Sequence, residues 1–146
     1  MKNINEKLYD NLSEAVAFEI NFTHMIYTYD NVGWDEYETD GADIIVTAYG
    51  ISARIARAAV KRAREMGIAV GLIRPKTLYP FPVKAFERDI KTVLCVEMSR
   101  GQMIEDVRLA LNGRAKVEFY GRAGGILVDE DEILAEIRRC ADENNI

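Results

Sequence analysis

The stretch "DIIVTAYGISARIARAAVKRAREMGIAVGLIR", Asp43 to Arg74, decides the fold. It opens with "DIIVTAYG" (43–50), a short run rich in β-branched residues and closed by glycine, which predicts a buried strand. "SARIARAAVKRAREMG" (52–67) then turns helical: Ile55, Ala59, Ala63 and Met66 fall on one face, with Ser52 as the candidate N-cap and Gly67 in the C′ position. "IAVGLIR" (68–74) predicts a second strand. Strand, helix and strand with short connections make a βαβ unit, whose two strands are parallel.

The same alternation continues to the C-terminus. "PVKAFERDI" (82–90) predicts a short helix with Pro82 at its first position and Val83, Phe86 and Ile90 facing inward. "KTVLCVEM" (91–98) predicts a third strand, and "GQMIEDVRLALNG" (101–113) a helix built on Met103, Ile104, Val107 and Leu111 and stopped by Gly113. "KVEFYG" (116–121) predicts a fourth strand. "VDEDEILAEIRRC" (128–140) predicts a last helix, with Asp129 and Glu132 as a capping box and Val128 and Ile133 as its hydrophobic staple. The implied class is α/β, a mostly parallel sheet with helices on both faces.

The N-terminal residues read differently. "EKLYDNLSEAVAFEINF" (6–22) fits an amphipathic helix through Leu8, Leu12, Ala15 and Val16. "HMIYTYDNVGWDEYETDG" (24–41) is aromatic and acidic, with room for a short edge strand over 34–39. The expected division is a leader or linker at 1–36 and an α/β domain at 37–146.

Composition bounds the chemistry. A chain of 146 residues, 49% hydrophobic, suffices for one domain with a real core. No apolar run approaches a membrane span and no signal-peptide h-region opens the chain, which points to the cytoplasm. One histidine, and two cysteines with no Cys-x-x-Cys, argue against zinc or iron–sulfur ligation, and Cys95 and Cys140 read as buried structural thiols. The net charge of −5 conceals an acid-rich N-terminal third and a base-rich segment beyond Gly50. Arg54, Arg57, Lys61 and Arg64 share one helical face, either simply solvated or a docking surface for an acidic partner. Nucleic acid is disfavoured by the overall acidity and by the lack of aromatics among the basic residues.

The carboxyl ends of parallel strands are where such folds bind ligands. No G-x-G-x-x-G follows the first strand and no P-loop is present, so nucleotide fingerprints are missing. "GRAGG" (121–125) reads as a flexible corner before the last helix. Arg74, Glu97 and Arg122 fall at the strand ends, with Arg100 beside them and Gly101 and Gln102 opening a helix whose free N–H groups favour an anion. The competing reading of this edge is a set of structural ion pairs. No nucleophile–base pair is visible, so the chain taken alone does not look like an enzyme.

All three prolines lie in "IRPKTLYPFP" (73–82). Pro75 ends a strand by removing a ladder donor, Pro80 is expected to hold the loop extended and Pro82 to open the next helix. Between them stand Lys76, Leu78, Tyr79 and Phe81, too many large side chains to fold inward together. Exposed apolar residues between rigid prolines suit an association surface.

"ADIIVTAYGISARIARAAV", "GLIRPKTLYPFP" and "VEMSRGQMIEDVRLALNGRAKVEFYGRAGG" together resemble the 2-oxoacid:ferredoxin oxidoreductases. The resemblance is to the transketolase-C-terminal-like domain at the end of their alpha subunit, nearest the 2-oxoisovalerate and 2-oxoglutarate members. It runs from about Tyr37 to Arg139, and the R-P-x-T-L-x-P-F-P and G-Q-M-x-E-D-V-R strings make it specific. It implies a three-layer α/β/α domain whose five-stranded sheet has its first strand, the 34–39 segment, antiparallel to the others.

The resemblance also implies a parent enzyme that uses thiamine diphosphate with magnesium, coenzyme A and iron–sulfur clusters to oxidise a 2-oxoacid and reduce ferredoxin. This chain is then expected to bind none of these cofactors and to be inactive alone, an excised C-terminal piece rather than a natural truncation. Its expected partners are the remaining subunits, pyrophosphate-domain and ferredoxin-like, or further copies of itself in a homo-oligomer. The competing function is a free-standing α/β ligand-binding or regulatory module that uses the carboxyl edge. A transketolase or 2-oxoacid dehydrogenase C-terminal domain shares the implied fold, and the "GRAGG" and "RPKTLYPFP" strings favour the ferredoxin-linked family over it.

Overall fold

In the computed structural model, residues 32–145 are described; the helix expected over 6–22 lies outside them. The chain divides into two units, residues 1–32 and 33–146, and the elements below all belong to the second. In chain order they are β1 (Trp34–Tyr37), β2 (Ile44–Ala48), α1 (Gly50–Glu65), β3 (Val70–Pro75), a 3-10 turn (Val83–Phe86), β4 (Thr92–Glu97), α2 (Met103–Leu111), β5 (Lys116–Gly121) and α3 (Glu130–Asn144). The sheet order is β1-β3-β2-β4-β5. β1 runs antiparallel to β3, and the other pairs are parallel. The mixed five-stranded sheet implied by the resemblance is therefore present.

Alternation along the central strands builds two cores. Ile44, Val46 and Ala48 of β2 face α1 and α3 and pack with Val60, Ile133 and Ile137. Ile45 faces the other way, toward α2 and the 3-10 turn, where Phe86, Met103, Val107 and Leu111 close the second core. With helices on both faces, all five β2 residues are buried, which explains its unbroken apolar run.

α1 begins two residues before Ser52. Gly50 adopts φ +57, a conformation that glycine tolerates, and Tyr49 is the extended N-cap without a side-chain cap bond. Ser52 is instead buried in the first turn, on the face formed by Ala53, Ala56, Ala59, Val60 and Ala63. Met66 is exposed and Ile55 half-buried, so the inward stripe is rotated from the expected one. The helix ends as its glycine predicts: Gly67 N–H donates to the Arg64 carbonyl at 2.9 Å and Ile68 N–H to Ala63 at 3.1 Å. Gly71 on β3 is needed for a close approach, since a Cβ there would lie 2.6 Å from the Glu38 carbonyl oxygen.

Two further expectations change. Of residues 82–90 only Val83–Phe86 is helical, a 3-10 turn with Pro82 as its N-cap; Phe86 and Ile90 are buried while Val83 is 44% exposed. The Asp129 carboxylate caps α3, accepting Asp131 N–H at 2.9 Å and Glu132 N–H at 3.3 Å, and Val128 and Ile133 meet in the core. The Glu132 side chain does not complete the capping box; it accepts from Tyr120 and Arg122 instead.

Candidate functional site

Four parallel strands deliver their carboxyl ends to one edge of the sheet. At β3 the register sets Asp35 opposite Arg74 and Trp34 opposite Pro75. Asp35 consequently receives both Lys76, at 2.6 Å, and Arg74, at 3.6 Å. Lys76 N–H donates to the Gly33 carbonyl at 2.9 Å, and Gly33 N–H donates to the Thr77 hydroxyl at 3.3 Å. The start of the proline loop is thus fastened to the start of β1.

Beyond this point Pro80 and Pro82 are buried, and the Tyr79–Pro80 peptide is cis, in place of the extended course expected at Pro80. The Phe81 ring stacks on Phe86 of the second core, with centroids 5.6 Å apart. Leu78 remains 42% exposed and Tyr79 80% exposed, and Val83, just past the loop, is exposed as well. One aromatic anchors the loop while its neighbours face solvent.

Glu97 ends β4 fully buried. Its carboxylate accepts N–H bonds from Met103 and Ile104 at 3.0 Å and from Gln102 at 3.2 Å, a hydroxyl bond from Ser99 at 2.8 Å, and the Cys95 thiol at 3.4 Å. Burial pushes this carboxyl up, but the bonds from Met103, Ser99 and Ile104 outweigh it and hold it below the usual carboxylate range. The α2 N-terminus therefore carries its own anion, and the site that Gly101 and Gln102 offered is filled from within. The Arg100 and Gln102 side chains are exposed on its rim.

Arg122 follows β5 and pairs with Glu132, while its Nε approaches the Tyr120 hydroxyl at 3.3 Å. Arg74, Glu97 and Arg122 thus do not meet; each is satisfied by separate partners.

A second feature on this edge went unrecognised in the sequence. β1, the first turns of α1 and the end of β3 enclose a groove of about 700 Å³, lined by Arg54, Arg57, Arg74, Tyr37 and Ile51 among others. The Arg57 guanidinium lies 4.4 Å from the centre of the Tyr37 ring. The basic spacing on α1 was visible in the chain, but the concavity depends on β1, whose pairing is not local.

Among the described residues no cluster of three His, Cys, Asp or Glu side chains could hold a metal, and no helix is long and apolar enough to cross a membrane. Cys95 and Cys140 are buried in different cores, on opposite faces of the sheet, and cannot share a cluster.

The family described as pyruvate:ferredoxin oxidoreductase core domain II matches residues 42–133. Ketoisovalerate oxidoreductase subunit VorB of Methanothermobacter marburgensis is 39% identical over 150 residues, spanning 99% of this chain and 42% of the relative. The VorB subunit of Methanothermobacter thermautotrophicus is 46% identical over 118 residues, 78% of this chain and 33% of the relative. The 2-oxoglutarate synthase subunit KorA of M. marburgensis is 39% identical over 72% of the chain and 28% of its own length. The chain therefore spans less than half the length of these relatives. In three dimensions it is similar to the 2-oxoglutarate:ferredoxin oxidoreductase of Magnetococcus marinus, with TM-score 0.75 and 23% identity over 90% of this chain and 24% of that one. It is also similar to a split-gene transketolase, with TM-score 0.61 and 18% identity over 73% of this chain and 40% of that one. These two likenesses speak for the fold, a transketolase-like sheet. The matched residues, from Ala42 just before β2 to Ile133 in α3, take in the whole buried second core and most of the first, and the chain belongs to the pyruvate:ferredoxin oxidoreductase core domain II family of the 2-oxoacid:ferredoxin oxidoreductases.

Proposed function

We propose that this chain is the C-terminal assembly domain of the alpha subunit of a thiamine-diphosphate-dependent 2-oxoacid:ferredoxin oxidoreductase. In this reading the sheet unit is the domain and the residues before it are its leader. The parent enzyme converts a 2-oxoacid to an acyl-coenzyme A in the cytoplasm and passes the electrons to ferredoxin. The domain itself supplies no catalytic group; it holds the remaining subunits, pyrophosphate-domain and ferredoxin-like, in place.

The described residues do not fit the parent's metal groups. Magnesium needs a converging set of oxygen ligands, and no group of three acidic, histidine or cysteine side chains that could hold a metal is found among the described residues. Iron–sulfur clusters need several converging thiolates, and the two cysteines point into separate cores. The magnesium and the clusters accordingly belong to other domains in this reading.

One observation carries the proposal: Leu78, Tyr79 and Val83 are exposed around a loop already fixed by three prolines, the Phe81–Phe86 stack and the bonds to Gly33. A surface ordered before binding loses little entropy on association. Tyrosine with Arg74 and Lys76 in the same loop gives the aromatic–cation composition of interface anchors. The test is size-exclusion chromatography of the chain mixed with the pyrophosphate-domain and ferredoxin-like subunits of the same enzyme. Co-elution is expected; a chain that elutes alone at micromolar concentrations contradicts the assignment.

A further inference from the structure

The groove between β1 and α1 is lined by Arg54 and Arg57, which no carboxylate among the described residues engages, and by Arg74, which Asp35 approaches only at 3.6 Å. Its volume of about 700 Å³ is that of a small-molecule site. Arg54 and Arg57 rise from the first two turns of α1, and Arg74 enters from the end of β3. The two acidic residues that also line the groove are already engaged: Asp35 holds Arg74 and Lys76, and Glu36 holds Arg88, Thr39 and Trp34. Among the described residues neither Arg54 nor Arg57 forms an ion pair, whereas the next basic residues along the helix do.

That difference identifies the class of ligand. Lys61 approaches Glu65 at 4.0 Å, and Arg62 binds Glu130 and Asp131. Arg64 donates to the Val70 carbonyl at 2.7 Å. The basic stripe read from the sequence is therefore interrupted after Arg57, and an extended acidic segment finds no continuous row to follow. Three guanidinium groups around one concavity suit a compact anion with several acceptor oxygens.

Arg57 lies over the Tyr37 ring and makes no ion pair among the described residues, and a guanidinium offers two parallel N–H groups to an oxyanion. α1 adds N–H groups in its first turn, with no side-chain cap and no acidic residue there to compete. Ile51 and Leu72 give the groove an apolar wall. We propose that this groove binds a phosphate-bearing small molecule through Arg54, Arg57 and Arg74, with its organic part against Ile51 and Leu72.

The proposal stands apart from the docking edge, with which it shares only Arg74, so its test leaves Arg74 untouched. The probes are inorganic phosphate and phenyl phosphate, titrated into the labelled 146-residue chain with chloride controls of matched ionic strength and followed by backbone amide NMR. Saturable shifts at Gly50 to Ala53 are expected, with phenyl phosphate about threefold tighter than phosphate, the effect of a partly buried ring. Arg54→Gln should weaken binding about tenfold, the value of one charged hydrogen bond, and the pair Arg54→Gln with Arg57→Gln should abolish it. A control pair of equal charge change, Lys61→Gln with Arg62→Gln, should alter affinity by less than about twofold.

No saturable shift beyond chloride overturns the proposal, as does equal weakening by both variant pairs. Equal affinity for the two probes overturns its organic part. Tighter binding of a hexaglutamate peptide at the same amides assigns the groove to an acidic protein segment instead.

Discussion

The ring of Phe81 lies on that of Phe86, with planes 18° from parallel, and Tyr79, two residues earlier, is left in solvent. The two side chains of one loop thus have opposite roles, one packed in the core and one exposed. Phe81→Ala should cost about 1–3 kcal/mol in urea denaturation, through lost burial and stacking. Tyr79→Ala should stay within about 0.5 kcal/mol, as for an exposed site. Equal losses would place Tyr79 in the core and remove it as a docking residue.

Glu97 links β4 to α2 and carries the clearest pH dependence. Its folded pKa lies below its ordinary value of 4.5. Its charged form therefore contributes stability that is fully present above about pH 4.5 and lost as the pH falls through the folded value. Glu36 and Glu118 are held low as well and add in the same direction. Glu97→Gln should cost roughly 2–4 kcal/mol at neutral pH, because an amide cannot accept the whole set of bonds. The gap from the parent protein should narrow as both are unfolded in increasingly acidic buffer. A gap independent of pH would mean that the carboxylate charge is not what holds α2.

The fold was legible because strand and helix periods alternate without interruption from Asp43 to Cys140. Local rules failed where geometry is set from a distance. Ser52 looks like a cap, yet Gly50 starts the helix earlier and turns the serine inward. Val83 was placed inside by helical spacing, and a 3-10 turn does not keep that spacing. The strand-end residues were visible as a set, but their partners were not: Asp35 reaches Arg74 only through the antiparallel register of β1, and Glu132 reaches Arg122 only because α3 packs beside β5. The groove was missed for the same reason.

Both cysteines should resist thiol reagents. Cys95 is buried mid-strand, and burial followed by the neighbouring Glu97 charge raises its thiol pKa far above the ordinary range. Burial also pushes Cys140 up to about 11. At pH 8 a disulfide reagent should label neither thiol in the folded chain and both in denaturant. Fast labelling of Cys95 without denaturant would contradict the two-sided burial of β4.

The isolated chain is expected to give no magnesium-dependent heat with thiamine diphosphate in a calorimeter, and no 2-oxoacid oxidation. Micromolar, magnesium-dependent binding would bring cofactor determinants into this chain and overturn its assignment as an assembly domain.

The central claim is that the loop from Arg74 to Pro82 docks the domain onto its partner subunits. Lys76→Ala with Tyr79→Ala tests it most directly, because the Tyr79 side chain is exposed and the backbone bond from Lys76 to Gly33 survives the substitution. The measurement is the fraction of the pyrophosphate-domain and ferredoxin-like subunits that co-purify with the tagged chain, with circular dichroism confirming the fold. The account predicts an unchanged spectrum and a drop in co-purification of about tenfold or more, as for loss of an aromatic anchor. An unchanged spectrum with unchanged co-purification would show that the loop is not where the subunits meet.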